Sequence, residues 1–95
     1  MKVSFNRLAD QELVAAARKL ADAAHLGAAF LDEYEAWERQ VKDHPLSCPE
    51  IAPGIRRGYL SRFKYHVTYQ IRGQTIRILY IRDARQAPLI AFRRT

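Results

Sequence analysis

Ninety-five residues, 48% hydrophobic and 27% charged with four Gly and four Pro, suffice for one domain around one core and not for two. The single cysteine, Cys48, excludes an internal disulfide and by itself a zinc site, and no apolar run is long enough to span a membrane. The formal charge of +6 is unevenly spread: residues 1–50 hold nine acids against six bases, whereas residues 51–95 hold ten bases against Asp83 alone. A cationic C-terminal half of this kind points to a polyanion or an acidic protein as partner.

In chain order, Lys2–Phe5 alternates and reads as a short edge strand. The opening MKVSFNRLADQ lacks the apolar core of a signal peptide, so a cytoplasmic location is expected. Asn6 or Asp10 is the N-cap of a first helix, whose apolar stripe is Leu13, Val14, Ala17, Leu20, Ala21 and Ala24. Gly27 is predicted to take the left-handed position past the end of that helix. A second helix follows over residues 28–43, with Phe30, Tyr34, Trp37 and Val41 as its core stripe. Asp32, Glu33, Glu35 and Glu38 lie off that stripe and read as a solvated face, not as paired catalytic carboxylates. Pro45 ends the helix. Residues 46–54 form an irregular connection, and residues 55–60 read as a strand in which Gly58 marks a bulge or a close approach.

Residues 59–85 are the organising stretch. Tyr65, Val67, Tyr69 and Ile71 alternate with His66, Thr68, Gln70 and Arg72, and an apolar-rich run resumes after Gly73-Gln74. Gly first in a two-residue loop suits a type II′ hairpin turn. Pairing Arg72 with Thr75 then sets Ile71 against Ile76, Tyr69 against Ile78 and Val67 against Tyr80, which gathers one apolar face. The opposite face carries Arg72, Thr75, Gln70, Arg77, Thr68, Leu79, His66 and Ile81. Leu89–Phe92 is read as a final short strand, with Arg93 and Arg94 fraying at the surface. The order β-α-α-β-β-β gives a two-layer α+β domain in which the helical pair covers one face of a mainly antiparallel sheet and leaves the other open.

The helix pair with Leu26-Gly27-Ala28-Ala29-Phe30-Leu31, the His44-Pro45 exit, the Arg56-Arg57 strand, the Leu60–Tyr69 segment and Ile76–Arg85 together resemble the RelE/ParE superfamily of type II toxin–antitoxin toxins over nearly the whole chain. The resemblance implies a single toxin domain over residues 1–95, a cognate antitoxin as partner, and no metal or other cofactor. It also implies one of two activities, since ParE-like members poison DNA gyrase and RelE-like members cut mRNA on the ribosome. Arg82 stands where many members carry a His, and Phe92 where nuclease members often place a Tyr. These departures tilt the expectation toward a ParE-like, non-nuclease poison, with the metal-independent mRNA endoribonuclease as the alternative.

For the nuclease, the candidate catalytic residues are Arg57, Lys64, His66 and Arg85. Cleavage without metal needs a proton acceptor, positive charge on the phosphate and an acid for the leaving oxygen. Arg57, Arg77, Arg82 and Arg85 supply charge but are poor bases. Lys64 becomes a base if neighbouring cations lower its pKa, and His66, on the polar face of the hairpin, has an ordinary pKa of about 6.5. His25 and His44, at helix ends, are assigned to packing or solvent. For either activity the candidate target-binding surface is Arg56, Arg57, Arg62, Lys64, Arg72, Arg77, Arg82 and Arg85. A third reading is a plain nucleic-acid binder that stacks bases on Tyr59 or Phe63.

Overall fold

The computed structural model describes all 95 residues. Its elements are β1 (Lys2–Phe5), α1 (Arg7–Ala24), α2 (Gly27–Asp43), β2 (Glu50–Ala52), β3 (Ile55–Leu60), β4 (Tyr65–Arg72) and β5 (Thr75–Asp83). The strands form one sheet in the order β1-β5-β4-β3-β2. From β2 to β5 the sheet is an antiparallel meander, and β1 returns parallel beside the first half of β5. Both helices pack on one face, as the α+β reading expected. No helix is long and apolar enough to cross a membrane.

The β4–β5 hairpin has the expected register near its turn, with Arg72 paired to Thr75, Ile71 to Ile76 and Tyr69 to Ile78. Gly73 takes φ +57 there, the value a type II′ turn asks of its first loop residue. Beyond that point the expectation fails. A bulge between Thr68 and Tyr69 sets Thr68 against Tyr80 and Val67 against Ile81, so Val67 does not face Tyr80. One extra residue on β5 flips the register: Ile81 joins Val67, Tyr69, Ile76 and Ile78 in the main core. Leu79 stays on the second face as expected and Tyr80 turns to it, and with Ile55 they build a separate small cluster.

Asn6 is the helix cap, its Oδ1 accepting from the Leu8 N–H at 2.9 Å. The buried line of α1 runs through Ala9 and Ala16, with Leu13, Ala17 and Leu20 packed beside them, whereas Val14 is 43% exposed and Ala21 and Ala24 face solvent. The helix is thus rotated from the predicted stripe, with small alanines facing the sheet. The left-handed residue after α1 is His25, at φ +56, and not Gly27. The His25 and Leu26 N–H groups reach the carbonyls of Ala21 and Leu20, closing the helix end. Gly27 is needed for a different reason. A Cβ there would lie 2.7 Å from the Ala17 carbonyl oxygen, so the two helices cross at this point.

The aromatic stripe of α2 is borne out. Phe30, Tyr34 and Val41 are buried and Trp37 packs against the same core. Phe30 meets Phe63 and Tyr65 edge-on, and Trp37 meets Tyr69 edge-on at 5.8 Å. Asp32 and Glu35 on α2 are exposed, as expected, but two other acids do more than face solvent. Glu33 accepts from the Arg62 and Phe63 N–H groups and fastens the β3–β4 turn, and Glu38 accepts from the Tyr34 hydroxyl. Burial, then the Glu38 charge, pushes the Tyr34 phenol up out of the range in which it could ionise.

Two loops differ from expectation. The connection after α2 contains β2, a three-residue strand bounded by Pro49 and Pro53 and too short to leave a periodic signal. The C-terminal residues form no strand. They cross the second face of the sheet, where Leu89 and Phe92 pack against the Ile55–Leu79–Tyr80 cluster. Arg94 does not fray: it stacks over the Tyr80 ring at 4.2 Å and pairs with Glu12. The second face is therefore partly covered, not open.

Candidate functional site

Because side chains alternate along strands, the second face collects Arg57 and Tyr59 from β3, His66 and Thr68 from β4, and Arg82 from β5. The pairing puts them in rows, Tyr59–His66–Arg82 and Arg57–Thr68–Tyr80. Between these rows and the C-terminal segment lies a recess of about 200 Å³. Arg57, His66, Thr68 and Arg82 line it from the sheet, and Ala87, Pro88, Leu89 and Phe92 from the segment crossing above.

Three of the residues singled out from sequence thus meet: Arg57, His66 and Arg82. Desolvation, reinforced by the Arg57 guanidinium, lowers the His66 pKa below its ordinary 6.5 and leaves the imidazole neutral near pH 7. The ring of Tyr59, half exposed, lies 5.4 Å from that imidazole. The Arg57 side chain makes no hydrogen bond within the protein, while Arg82 donates to the Ala87 carbonyl at 2.9 Å. Asp83 is the one carboxylate in the lining, and it is neutralised from outside. Arg85 donates to both its oxygens, at 2.8 and 2.7 Å, and that hydrogen bonding drives the Asp83 pKa down to about 2. The recess is net cationic and holds a neutral imidazole, a combination able to bind an anion and accept a proton.

The other candidates lie elsewhere. Lys64 is exposed in the β3–β4 turn at φ +59 and does not line the recess. Arg85 sits at its margin, tied to Asp83. Arg56 points to the helix side, where it donates to the Cys48 and Leu46 carbonyls and pairs with Glu50. Arg62 lies over the Phe63 ring in the turn, and Arg72 donates to Gln70 near the hairpin tip. Arg77 is on the second face but is engaged with the Phe5 carbonyl, the Ser4 hydroxyl and the Thr95 carbonyl. Of the two aromatics considered for stacking, Phe63 packs against the core and Tyr59 is exposed. No group of three or more His, Cys, Asp or Glu is placed to hold a metal ion.

Sequence reasoning missed Thr68, the crossing segment as a wall, and the Glu12–Arg94 pair that holds the segment down. The surplus of apolar Leu79 and Ile81 on a nominally polar face was the one available signal for them.

No family model matches the sequence, and no curated protein matches it. Among solved structures, a chain described as "Chromosomal ParDE TA system from P. aeruginosa" superposes with a TM-score of 0.64 at 22% identity, covering 87% of this chain and 95% of that one. The chain has the RelE/ParE-like fold. In that fold the helix pair and the five-stranded sheet account for the residues from Lys2 to Asp83, and the cationic recess lies on the face away from the helices.

The state of His66 gives a direct check on this electrostatic picture. Its imidazole should titrate below 6.5 by NMR, and Arg57→Ala should raise the value only part of the way, because desolvation is the larger cause. Titration at or above 6.5 in the wild-type chain would mean the recess is wetter than the structure implies.

Proposed function

We propose that the chain is the toxin of a type II toxin–antitoxin module, acting in the cytoplasm on an essential target and restrained by a cognate antitoxin. The observation that carries this reading is the likeness in fold, over 87% of the chain, to a chain of a ParDE system. The cationic second face, with Arg57 unpaired and Arg82 beside it, suits an acidic protein surface or a phosphate backbone. ParE-like poisoning of DNA gyrase is favoured. It requires only charge complementarity and shape, and neither Arg82 nor Phe92 supplies the proton-transfer group that nuclease relatives carry at those positions.

One observation favours the second reading, a metal-independent mRNA endoribonuclease. His66 is neutral and flanked by Arg57 and Arg82, so a base and phosphate-stabilising charges share one recess.

The test is expression of the full chain. Growth should stop and resume when a small antitoxin is co-expressed, and the purified protein should depress supercoiling by gyrase while mRNA stays intact. Normal growth with soluble, folded protein in the cell would rule out the toxin reading.

A further inference from the structure

We infer that residues 86–95 form a releasable strap that gates the cationic recess and holds the Arg82 guanidinium in reserve. The inference rests on the reading of that recess as the site that engages an anionic target.

The way the strap is attached carries the argument. Beyond Gln86 it makes no backbone-to-backbone hydrogen bond with the sheet or with itself. Side-chain hooks hold it instead. The Tyr80 hydroxyl accepts from the Arg93 and Arg94 N–H groups at 3.0 and 3.2 Å. Arg94 reaches past the Tyr80 ring to the Leu79 carbonyl and to the carboxylate of Glu12. Glu12 is itself fixed by the Ile81 N–H at 3.1 Å. Arg82 holds the Ala87 carbonyl, and Arg77 holds the Thr95 carbonyl at 3.2 Å. Between these hooks only Leu89 and Phe92 are seated on the sheet, and Ile90 is fully exposed. A segment with few buried apolar groups and no ladder opens at a small fraction of the global unfolding free energy.

Opening would change the recess in two ways. The closed recess, at about 200 Å³, is below the roughly 300–1,000 Å³ usual for ligand pockets, and the strap forms much of its wall. Removing that wall admits a ligand larger than a single phosphate-sized group. Release also frees Arg82 from the Ala87 carbonyl, while Arg77 stays bound to the Phe5 carbonyl and the Ser4 hydroxyl of β1. In the closed form Arg57 is the one guanidinium of the recess without a partner; in the open form Arg57 and Arg82 face the ligand together. An anion with several charged oxygens competes directly with the Ala87 carbonyl for Arg82 and, as the stronger acceptor, displaces it.

Two variants of the full chain loosen the latch without touching the recess lining. Tyr80→Phe keeps the ring and deletes the shared acceptor, and Glu12→Gln breaks the ion pair to Arg94 while keeping an acceptor for Ile81. In each, amide exchange in residues 87–95 should quicken by about tenfold or more with β4 and β5 still protected. Tripolyphosphate, at constant ionic strength, should bind several-fold more tightly than to wild type. Unchanged exchange in both variants, or quicker exchange with affinity unchanged or weaker, would overturn the strap. Arg57→Ala separates this from the underlying reading. If it binds tripolyphosphate as well as wild type, the recess is not the anion site; if it binds weakly while the latch variants match wild type, the strap alone is refuted.

Discussion

Gly58→Ala is expected to destabilise the fold by about 3 kcal/mol, the upper end of the usual overpacking range. A Cβ on Gly58 would stand 2.6 Å from Cε2 and 2.8 Å from Cζ2 of Trp37, inside van der Waals contact with a rigid ring system. The indole cannot move aside easily, because Tyr34 and Tyr69 lie against it, each with its ring centre 5.8 Å away. Trp37→Ala alone should cost about 3–5 kcal/mol through lost burial and the cavity it leaves. In the double variant the new methyl occupies part of that cavity, so the two losses should fall short of their sum by about 1 kcal/mol or more, as for residues in direct contact. Urea unfolding of the four proteins measures all these terms. A Gly58→Ala loss under about 1 kcal/mol would show that β3 shifts away from α2, contrary to the overpacking argument.

The same contact shows which parts of the fold could be read in advance. The aromatic stripe of α2 and the period-2 run of β4 are long, regular patterns, and both hold in the structure. What was lost depends on single residues. The β5 bulge lies in Ile78-Leu79-Tyr80-Ile81, where every side chain is aliphatic or aromatic and alternation gives no register. Even so, an unbroken register put Ile81 among Arg, Gln and His, a mismatch the bulge relieves, whereas Leu79 stays on that face under Leu89 and Phe92. The turn after α1 misled in another way. Gly27 is the residue that most easily adopts a positive φ, but closeness of the helices claims it, and His25 takes the left-handed position.

The site was half legible for related reasons. Arg57, His66 and Arg82 fall on one sheet face by alternation and strand order, so a correct hairpin nearly places them together. Which cations are free to act cannot be read from a strand pattern, because it depends on carbonyls and carboxylates in loops, turns and neighbouring strands. Arg56 is held by the loop before β2, Arg77 by the end of β1 and Thr95, and Arg85 by Asp83. The strap escaped for the same reason. Its attachment is Tyr80 and Glu12, partners 13 and 82 residues away from those they hold.

The largest effects on activity should come from Arg57 and His66, and their contrast separates the two modes of action. Under gyrase poisoning, Arg57→Glu places a negative charge where the recess has its free guanidinium. Loss of toxicity and of gyrase binding should follow, with residual binding by wild type weakening as salt rises over a Debye length of about 10 Å at 0.1 M. His66→Ala should then change little, since a neutral imidazole contributes no charge to lose. Under mRNA cleavage, His66→Ala should slow cutting by about 10²–10⁴, the usual loss for a positioned proton-transfer group. The pH profile adds a second readout. A base must be neutral to accept the proton, so the rate should climb with pH through a midpoint below 6.5 and be level by neutrality. Arg57→Ala should move that midpoint part of the way upward as well as lowering the plateau. Message integrity in a translating extract, measured beside a supercoiling assay with the same variants, decides between them. Cleavage that depends on His66 with supercoiling unaffected would overturn the gyrase reading. Intact message with supercoiling abolished by wild type and restored by Arg57→Glu would establish it.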